Sequence, residues 1–323
     1  MPDSRANVLL LGATGSIGRA TCAELLAQGY RVSCLLRAPA RAGVLPNGAE
    51  NVVADLGDPE AVQRSIASIA PLRAVLSCMA SRTGAPRDAW AVDHDAHLVV
   101  MQAAQAAGAG HFVLLSAICV QKPLLEFQRA KLAFEQALQG SGLDWSIVRP
   151  TAFFKSLSGQ VARVQAGKPF LLFGDGRLTA CKPISDRDLA RYLVGCIDAP
   201  ERKGRILPIG GPGPALTPRA QGELLFEILG QPPRFRHVPV ALMDGIVGML
   251  GLLGRVNARM ADKVEFARTG RYYATESMLV WDPDSGRYDA DATPEFGEDT
   301  LRDHYTRMIR GEVAHDLGAH AVF

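Results

Sequence analysis

The chain has 323 residues, of which 48% are hydrophobic and 21% charged, and a formal net charge of +2. That length allows one large domain, or a nucleotide domain with a smaller cap, with core enough for either. So small a net charge, carried by scattered basic residues, excludes a nucleic-acid partner. Six cysteines, Cys22, Cys34, Cys78, Cys119, Cys181 and Cys196, stand singly without C-x-x-C or zinc-type spacing. They read as small buried thiols, and no protein-bound metal is expected. The opening residues, MPDSRANVLLLGATG, enter a strand pattern too early for a signal peptide, which together with the dispersed cysteines points to a reducing cytoplasm.

In chain order, six β-rich runs are predicted as strands, at residues 7–13, 31–37, 50–56, 73–80, 111–118 and 144–151. Between them RATCAELLAQG, DPEAVQRSIAS, AHLVVMQAAQAAG and QRAKLAFEQALQGSG carry apolar residues at helical spacing. Near-continuous apolar strands alternating with helices predict an α/β fold: a Rossmann-type doubly wound parallel sheet, here assigned to residues 1–151. After Thr151 the alternation fails, and residues 152–323 are expected to form a smaller, irregular C-terminal cap, with elements returning to the first domain, over the carboxyl ends of the strands. Within it VPVALMDGIVGMLGLLGRV, residues 238–256, falls short of an uninterrupted apolar span of about 20 residues. A buried helix or the floor of an apolar pocket is expected there, with peripheral membrane contact as the alternative.

GATGSIG places Gly12, Gly15 and Gly18 directly after the first strand and before a helix beginning near Ser16. Glycines there permit a tight turn and a close approach to a pyrophosphate, and a helix N-terminus offers free N–H groups. The second strand ends in Arg37, with Arg41 close by, where an NAD enzyme would place an acid for the ribose; a guanidinium suits a 2′-phosphate, so NADPH is the expected cofactor. Asp55, after the third strand, is placed for the adenine amino group or for a helix cap, a role for which Asp58 is better placed. Ser116 ends the fifth strand and Lys131 follows fifteen residues later, the order found in short-chain dehydrogenases. FQRAK, residues 127–131, stands where those enzymes carry Tyr-x-x-x-Lys, with Phe127 in place of the phenol.

GATGSIG, LLSAICVQKPLLEFQRAKLAFE, SIVRPTAFFKSLSGQ, GDGRLTACKPISDRDLA, TGRYYATESMLVWD and the ending GAHAVF resemble the NADPH-dependent 8-vinyl reductases of chlorophyll and bacteriochlorophyll synthesis, which are atypical short-chain dehydrogenases. The resemblance runs from the first strand to the last residue. It implies reduction of the 8-vinyl group of a 3,8-divinyl chlorophyllide or protochlorophyllide, a tetrapyrrole substrate, to ethyl. It further implies that Gly12, Thr14, Gly15, Ser16, Ile17, Gly18 and Arg37 hold NADPH, with Asp55 by the adenine and Ser116 and Lys131 by the nicotinamide ribose. Arg149 to Phe154, including Pro150 and Phe153, would close over the nicotinamide and the substrate edge. A location in the cytoplasm or against a photosynthetic membrane follows.

A carbonyl reductase needs an acid beside the oxygen on which charge develops. A vinyl group has no such oxygen, so Phe127 fits an alkene substrate, whose carbon must still receive a proton. Candidate donors are Tyr272, Tyr273, Lys122 and Lys155, with water as the default. Phe153, Phe154, Phe170 and Phe173 would suit a flat tetrapyrrole or serve simply as core, and DHDAH, residues 93–97, reads as a solvated loop before a helix. The competing readings are a reductase of another conjugated alkene and an NADP-binding regulator or pigment-protein assembly factor without catalysis. The retained Ser116 and Lys131 weigh against the latter.

Overall fold

The structure, a computed structural model, describes residues 7–39, 43–254 and 258–313, with side chains outside the description at 251–261. Arg41 and the GAHAVF ending therefore lie outside the described residues. The first half follows the predicted alternation: β1 (Asn7–Leu11), α1 (Ser16–Ala27), β2 (Arg31–Leu36), β3 (Glu50–Val53), α2 (Pro59–Ala67), β4 (Leu72–Ser77), a short α3 (Pro86–Ala89), α4 (Ala96–Ala106), β5 (His111–Leu115), α5 (Glu126–Gln139) and β6 (Asp144–Pro150). Each strand stops one to three residues short of its predicted end because the last residues turn out of the sheet to build loops at its carboxyl edge. Asp58 caps α2, accepting from the Glu60 and Ala61 amides at 3.1 Å.

The second half continues with two short helices, α6 (Phe154–Leu157) and α7 (Val161–Gln165), then β7 (Phe170–Phe173), α8 (Asp186–Gly195), β8 (Arg205–Ile209), α9 (Pro218–Ile228) and β9 (Phe235–Val238). A helical hairpin of α10 (Val240–Gly254) and α11 (Ala258–Thr275), the antiparallel pair β10 (Val280–Asp282) and β11 (Arg287–Asp289), and α12 (Leu301–Ile309) complete it. The main sheet is parallel with strand order β3-β2-β1-β4-β5-β6-β8. Its seventh strand, β8, comes from beyond residue 151 and pairs with β6, Ile147 opposite Ile206. None of the six predicted strands covers it, because as an edge strand it is half exposed and holds Pro208.

Alternation of side chains along each strand divides the core into two layers. Val8 and Leu10 join Val32, Cys34, Ala74, Leu76 and Val113 on the face covered by α1 and α8. Leu9 and Leu11 join Val75, Phe112, Leu114 and Ile147 on the face covered by α2, α4 and α5. The first face is thus completed only when α8 returns from the cap half to pack beside α1. A third core within the cap gathers Phe154, Val161, Phe170, Leu225, Phe226, Leu301 and Tyr305.

Two expectations are corrected. Residues 93–97 are not a solvated loop: they belong to a π-helical turn, Trp90–Asp95, running into α4, with Asp93 and His97 both buried. The apolar segment at 238–256 forms α10 over Val240–Gly254 as expected, but its described side chains are not buried, since Leu242, Ile246 and Met249 are 55, 40 and 60% exposed.

Candidate active site

The loop between β1 and α1 is shaped by its glycines. Gly12 has φ +73°, and a Cβ there would lie 2.6 Å from the Cys78 carbonyl group at the end of β4. A Cβ on Gly18 would overlap the Gly12 carbonyl oxygen. Gly15 differs: it has an ordinary negative φ, and a Cβ would meet only the Gly12 oxygen at 3.5 Å. The fold's own packing therefore does not demand glycine at 15, whereas a ligand approaching the backbone would. Gly15 is also the N-cap of α1 and supplies no side-chain acceptor, which leaves the first N–H groups of that helix to an anion. Thr14 and Gly15 are exposed, Ser16 is half-buried, and Ile17 turns its side chain against the core.

A residue missed from the sequence completes this rim. Asp186, the first residue of α8, lies within hydrogen-bonding reach of Ser16, and burial raises its carboxyl above the usual range, against the pull of Ser16, Lys155 and Arg19. Arg37 is exposed just past β2, with no acid beside it at the strand end. Asp55 is exposed past β3 and accepts from the Gly57 amide at 2.9 Å. These groups fit a dinucleotide: a sharp glycine turn, an uncapped helix start, and a guanidinium where a 2′-phosphate would lie.

Two strands further along, the carboxyl ends of β4, β5 and β6 meet α5. Phe127, Lys131 and Glu135 are four residues apart and form one stripe of that helix. The Lys131 ammonium donates to Asp93 at 2.9 Å, and Asp93 also accepts from the Ser81 hydroxyl at 2.6 Å and the Ser81 amide at 3.3 Å. One turn on, Glu135 is fully buried, accepts from the Ser116 hydroxyl at 2.5 Å and forms an ion pair with Arg149. Ser116 and Lys131 are thus held by neighbouring carboxylates, and Arg149 ties β6 into the same cluster. Behind them His97 bridges the Ser77 hydroxyl at 2.7 Å and the Val92 carbonyl at 2.8 Å. Burial first, then the Lys131 charge, lowers its imidazole to about 4.

The other end of the stripe is apolar. Phe127 packs with Cys119, Leu125, Cys181, Tyr272, Tyr273 and Met278. The Tyr272 hydroxyl donates to the Cys119 and Lys122 carbonyls at 3.0 and 3.3 Å, which ties α11 to the turn after β5. Tyr273 meets Tyr272 edge-on at 5.7 Å and directs its hydroxyl to the Cys119 thiol. Burial raises both phenols above their ordinary range, so each is a neutral hydroxyl. Lys122 is ion-paired to Glu276 at 2.7 Å and lies over the Trp281 ring. Lys155 lines a separate cleft with Phe154, Asp186, Arg187, Asp303 and His304, which borders the glycine loop through Asp186 and includes neither Ser116 nor Lys131.

Of the aromatics expected at the substrate, Phe154 and Phe170 are cap core, and Phe153 leans on the sheet core while its backbone bridges Ile184; Phe173 ends β7. Pro150 is buried at the end of β6. Among the described residues no three His, Cys, Asp or Glu side chains gather as a metal site requires. Glu135 had no sequence signal beyond lying one helical turn after Lys131, and Asp93, read as part of a solvated loop, is brought to Lys131 only by the fold.

Comparison with known proteins matches this arrangement to a family. Residues 12–200 match a family model described as NAD(P)H-binding. The chain is 47% identical to the divinyl chlorophyllide a 8-vinyl-reductase of Zea mays over its whole length and 84% of that protein, and 49% identical to that of Oryza sativa subsp. indica with the same coverage. Among solved structures, an NADPH-dependent quinone oxidoreductase from Escherichia coli, complexed with NADPH, superposes with TM-score 0.68 at 18% identity, covering 94% of this chain and 99% of the other, a likeness of fold. The chain belongs to the divinyl chlorophyllide a 8-vinyl-reductase family, built on an NAD(P)H-binding domain.

Proposed function

We propose that this protein reduces the 8-vinyl group of a divinyl chlorophyllide or protochlorophyllide to ethyl with NADPH. Identity of 47–49% along the entire chain to two divinyl chlorophyllide a 8-vinyl-reductases carries the reading. The site supports it: Ser116 and Lys131 are retained, and the position one turn before Lys131 is occupied by Phe127 inside an apolar cluster. No phenol stands at that position, beside Lys131, to protonate an alkoxide, and an alkene substrate forms none.

The glycine loop and the start of α1 take the pyrophosphate, and Arg37 the 2′-phosphate that distinguishes NADPH from NADH. Bound there, NADPH supplies a hydride. Hydride added to the terminal vinyl carbon would leave negative charge spread into the macrocycle, and a proton on the inner carbon would complete the ethyl group. Lys131 and Ser116 orient the nicotinamide ribose, and Asp93 and Glu135 hold those two side chains in place. The apolar wall of Phe127, Met278 and the tyrosines excludes water and aligns the vinyl group, where proximity supplies much of the rate. Among the candidate proton donors, Tyr272 is committed to two carbonyls and Lys122 to Glu276. Tyr273 gives its hydroxyl to a weaker acceptor, the Cys119 thiol, and is the protein acid to test first, with water as its rival: Tyr273→Phe and Lys155→Met both keeping full turnover would assign the proton to water.

The reading is tested by incubating purified protein with NADPH and divinyl chlorophyllide and following the Soret band and product mass. A gain of two hydrogens with a blue-shifted band is expected; unchanged substrate would sink it.

A further inference from the structure

The exposed face of the α10–α11 hairpin has no role in the site just described. In α10 the sequence VALMDGIVGMLGLLG holds a single charge, Asp244, and that charge is neutralised within the hairpin by an ion pair to Arg271 of α11. Leu242, Ile246 and Met249, at spacings of four and three, form one stripe along the helix and stand open, together with Phe266 of α11 at 56% exposure. Around this stripe the chain is basic. Residues 234–275 contain seven Lys and Arg against three Asp and Glu, while the whole chain nets only +2. Arg234 just before β9 and Arg236 within it, which lead into α10, and Lys263 and Arg268 on α11 are all exposed, with Asp262 exposed beside Lys263 and Arg268 paired to Glu265 at 3.5 Å. An apolar stripe in a segment with a basic excess, with Arg234, Arg236 and Lys263 exposed on its flanking elements, matches an anionic bilayer surface, in which apolar side chains enter the acyl boundary and cations meet the headgroups. Among the described residues no helix is long and apolar enough to cross a membrane, so such a hairpin lies in the interface.

We infer that the α10–α11 hairpin docks the protein on an anionic lipid surface beside the mouth of its active site. The placement follows from α11, which leaves Phe266 open and, two turns further along nearly the same side of the helix, packs Tyr273, with Tyr272 beside it, into the cluster of Phe127 and Cys119. The same helix seats against the start of α5, where Glu265 accepts from the Glu126 amide at 2.7 Å. A flat apolar substrate dissolved in the bilayer then reaches the site along the hairpin without crossing water. Only this last step rests on the proposed reaction; the docking does not.

The test is co-sedimentation of the full chain with vesicles of phosphatidylcholine alone or of phosphatidylcholine mixed with phosphatidylglycerol, at rising salt, for the wild type and for Leu242→Glu/Ile246→Glu/Met249→Glu. Binding that needs the anionic lipid, weakens with salt and falls at least about tenfold in the triple variant is expected. Turnover of detergent-solubilised divinyl substrate should be unchanged in that variant, and vesicle binding is read whether or not the substrate is turned over. No vesicle binding, or equal binding by the variant, overturns the inference. So does a dimer by light scattering that the triple variant abolishes without a change in vesicle binding, which assigns the face to a second copy. A raised KM for solubilised substrate with vesicle binding intact also overturns it, and makes the face a wall of the substrate pocket.

Discussion

From β1 to β6 geometry follows from local periodicity, whereas in the cap it comes from buried side chains that reach far along the chain. Asp188 of α8 is fully buried and accepts from the amides of Glu298 and Asp299, at 2.9 and 2.8 Å, 110 and 111 residues away. Gly297, at φ +95°, leaves room for that carboxylate, which a Cβ would strike. Lys182 similarly reaches Glu295 at 2.6 Å. The cofactor half is thus specified by pattern and the cap by a few polar anchors. Substitutions in the two halves should fail in different ways.

The largest effect is expected in the glycine loop. Gly18→Ala forces the Gly12 carbonyl aside and should weaken NADPH binding roughly a hundredfold or more, the scale on which a misplacement of about 1 Å acts, as read by cofactor titration. Next comes Asp93→Asn, which removes one partner of a buried ion pair. It should raise the KM for NADPH and destabilise the fold by about 3–5 kcal/mol. The double variant Asp93→Asn/Lys131→Met should recover part of that stability without recovering activity, a coupling that additive single losses would contradict. In the cap, Asp188→Ala removes the acceptor of two part-buried amides and should cost about 1–3 kcal/mol by denaturant unfolding while leaving NADPH affinity unchanged.

His97 gives the comparison a pH dependence. Its folded value of about 4 lies below the ordinary 6.5, so the unfolded chain takes up the proton first. Its contribution to stability is therefore fully present above pH 6.5 and is lost as pH falls toward 4, about 3 kcal/mol in all. His97→Gln should flatten that part of the stability profile. The smallest effect belongs to Phe127→Tyr: the new hydroxyl enters an apolar cluster, so turnover should not rise and stability should fall by about 1–3 kcal/mol.

Much of the cofactor half was legible in the sequence, because continuous apolar strands, helical spacing and a glycine turn are local signals. The six predicted strands all form, Ser116 lies at the end of β5, and Lys131 lies on α5, in the order the sequence placed them. What escaped was set by distant partners. Asp93 looks solvated in WAVDHD until Lys131, 38 residues on, is seen to cover it. β8 is a short apolar run interrupted by Pro208 and half exposed as an edge strand, and α8 joins the first core only through packing on α1. The hairpin misled in the opposite sense: its composition reads as core, and only the fold leaves its stripe without a protein partner among the described residues.

The central claim, that a hydride from the cofactor on the glycine loop lands on the outer carbon of the 8-vinyl group and a proton on the inner one, is tested most directly by isotope placement. With NADPH deuterated on the transferred position, in ordinary water, the account predicts deuterium only in the methyl of the new ethyl group; in heavy water with unlabelled NADPH, only in its methylene. Deuterium from NADPH in the methylene, or a product that gains no hydrogen from NADPH, would contradict it.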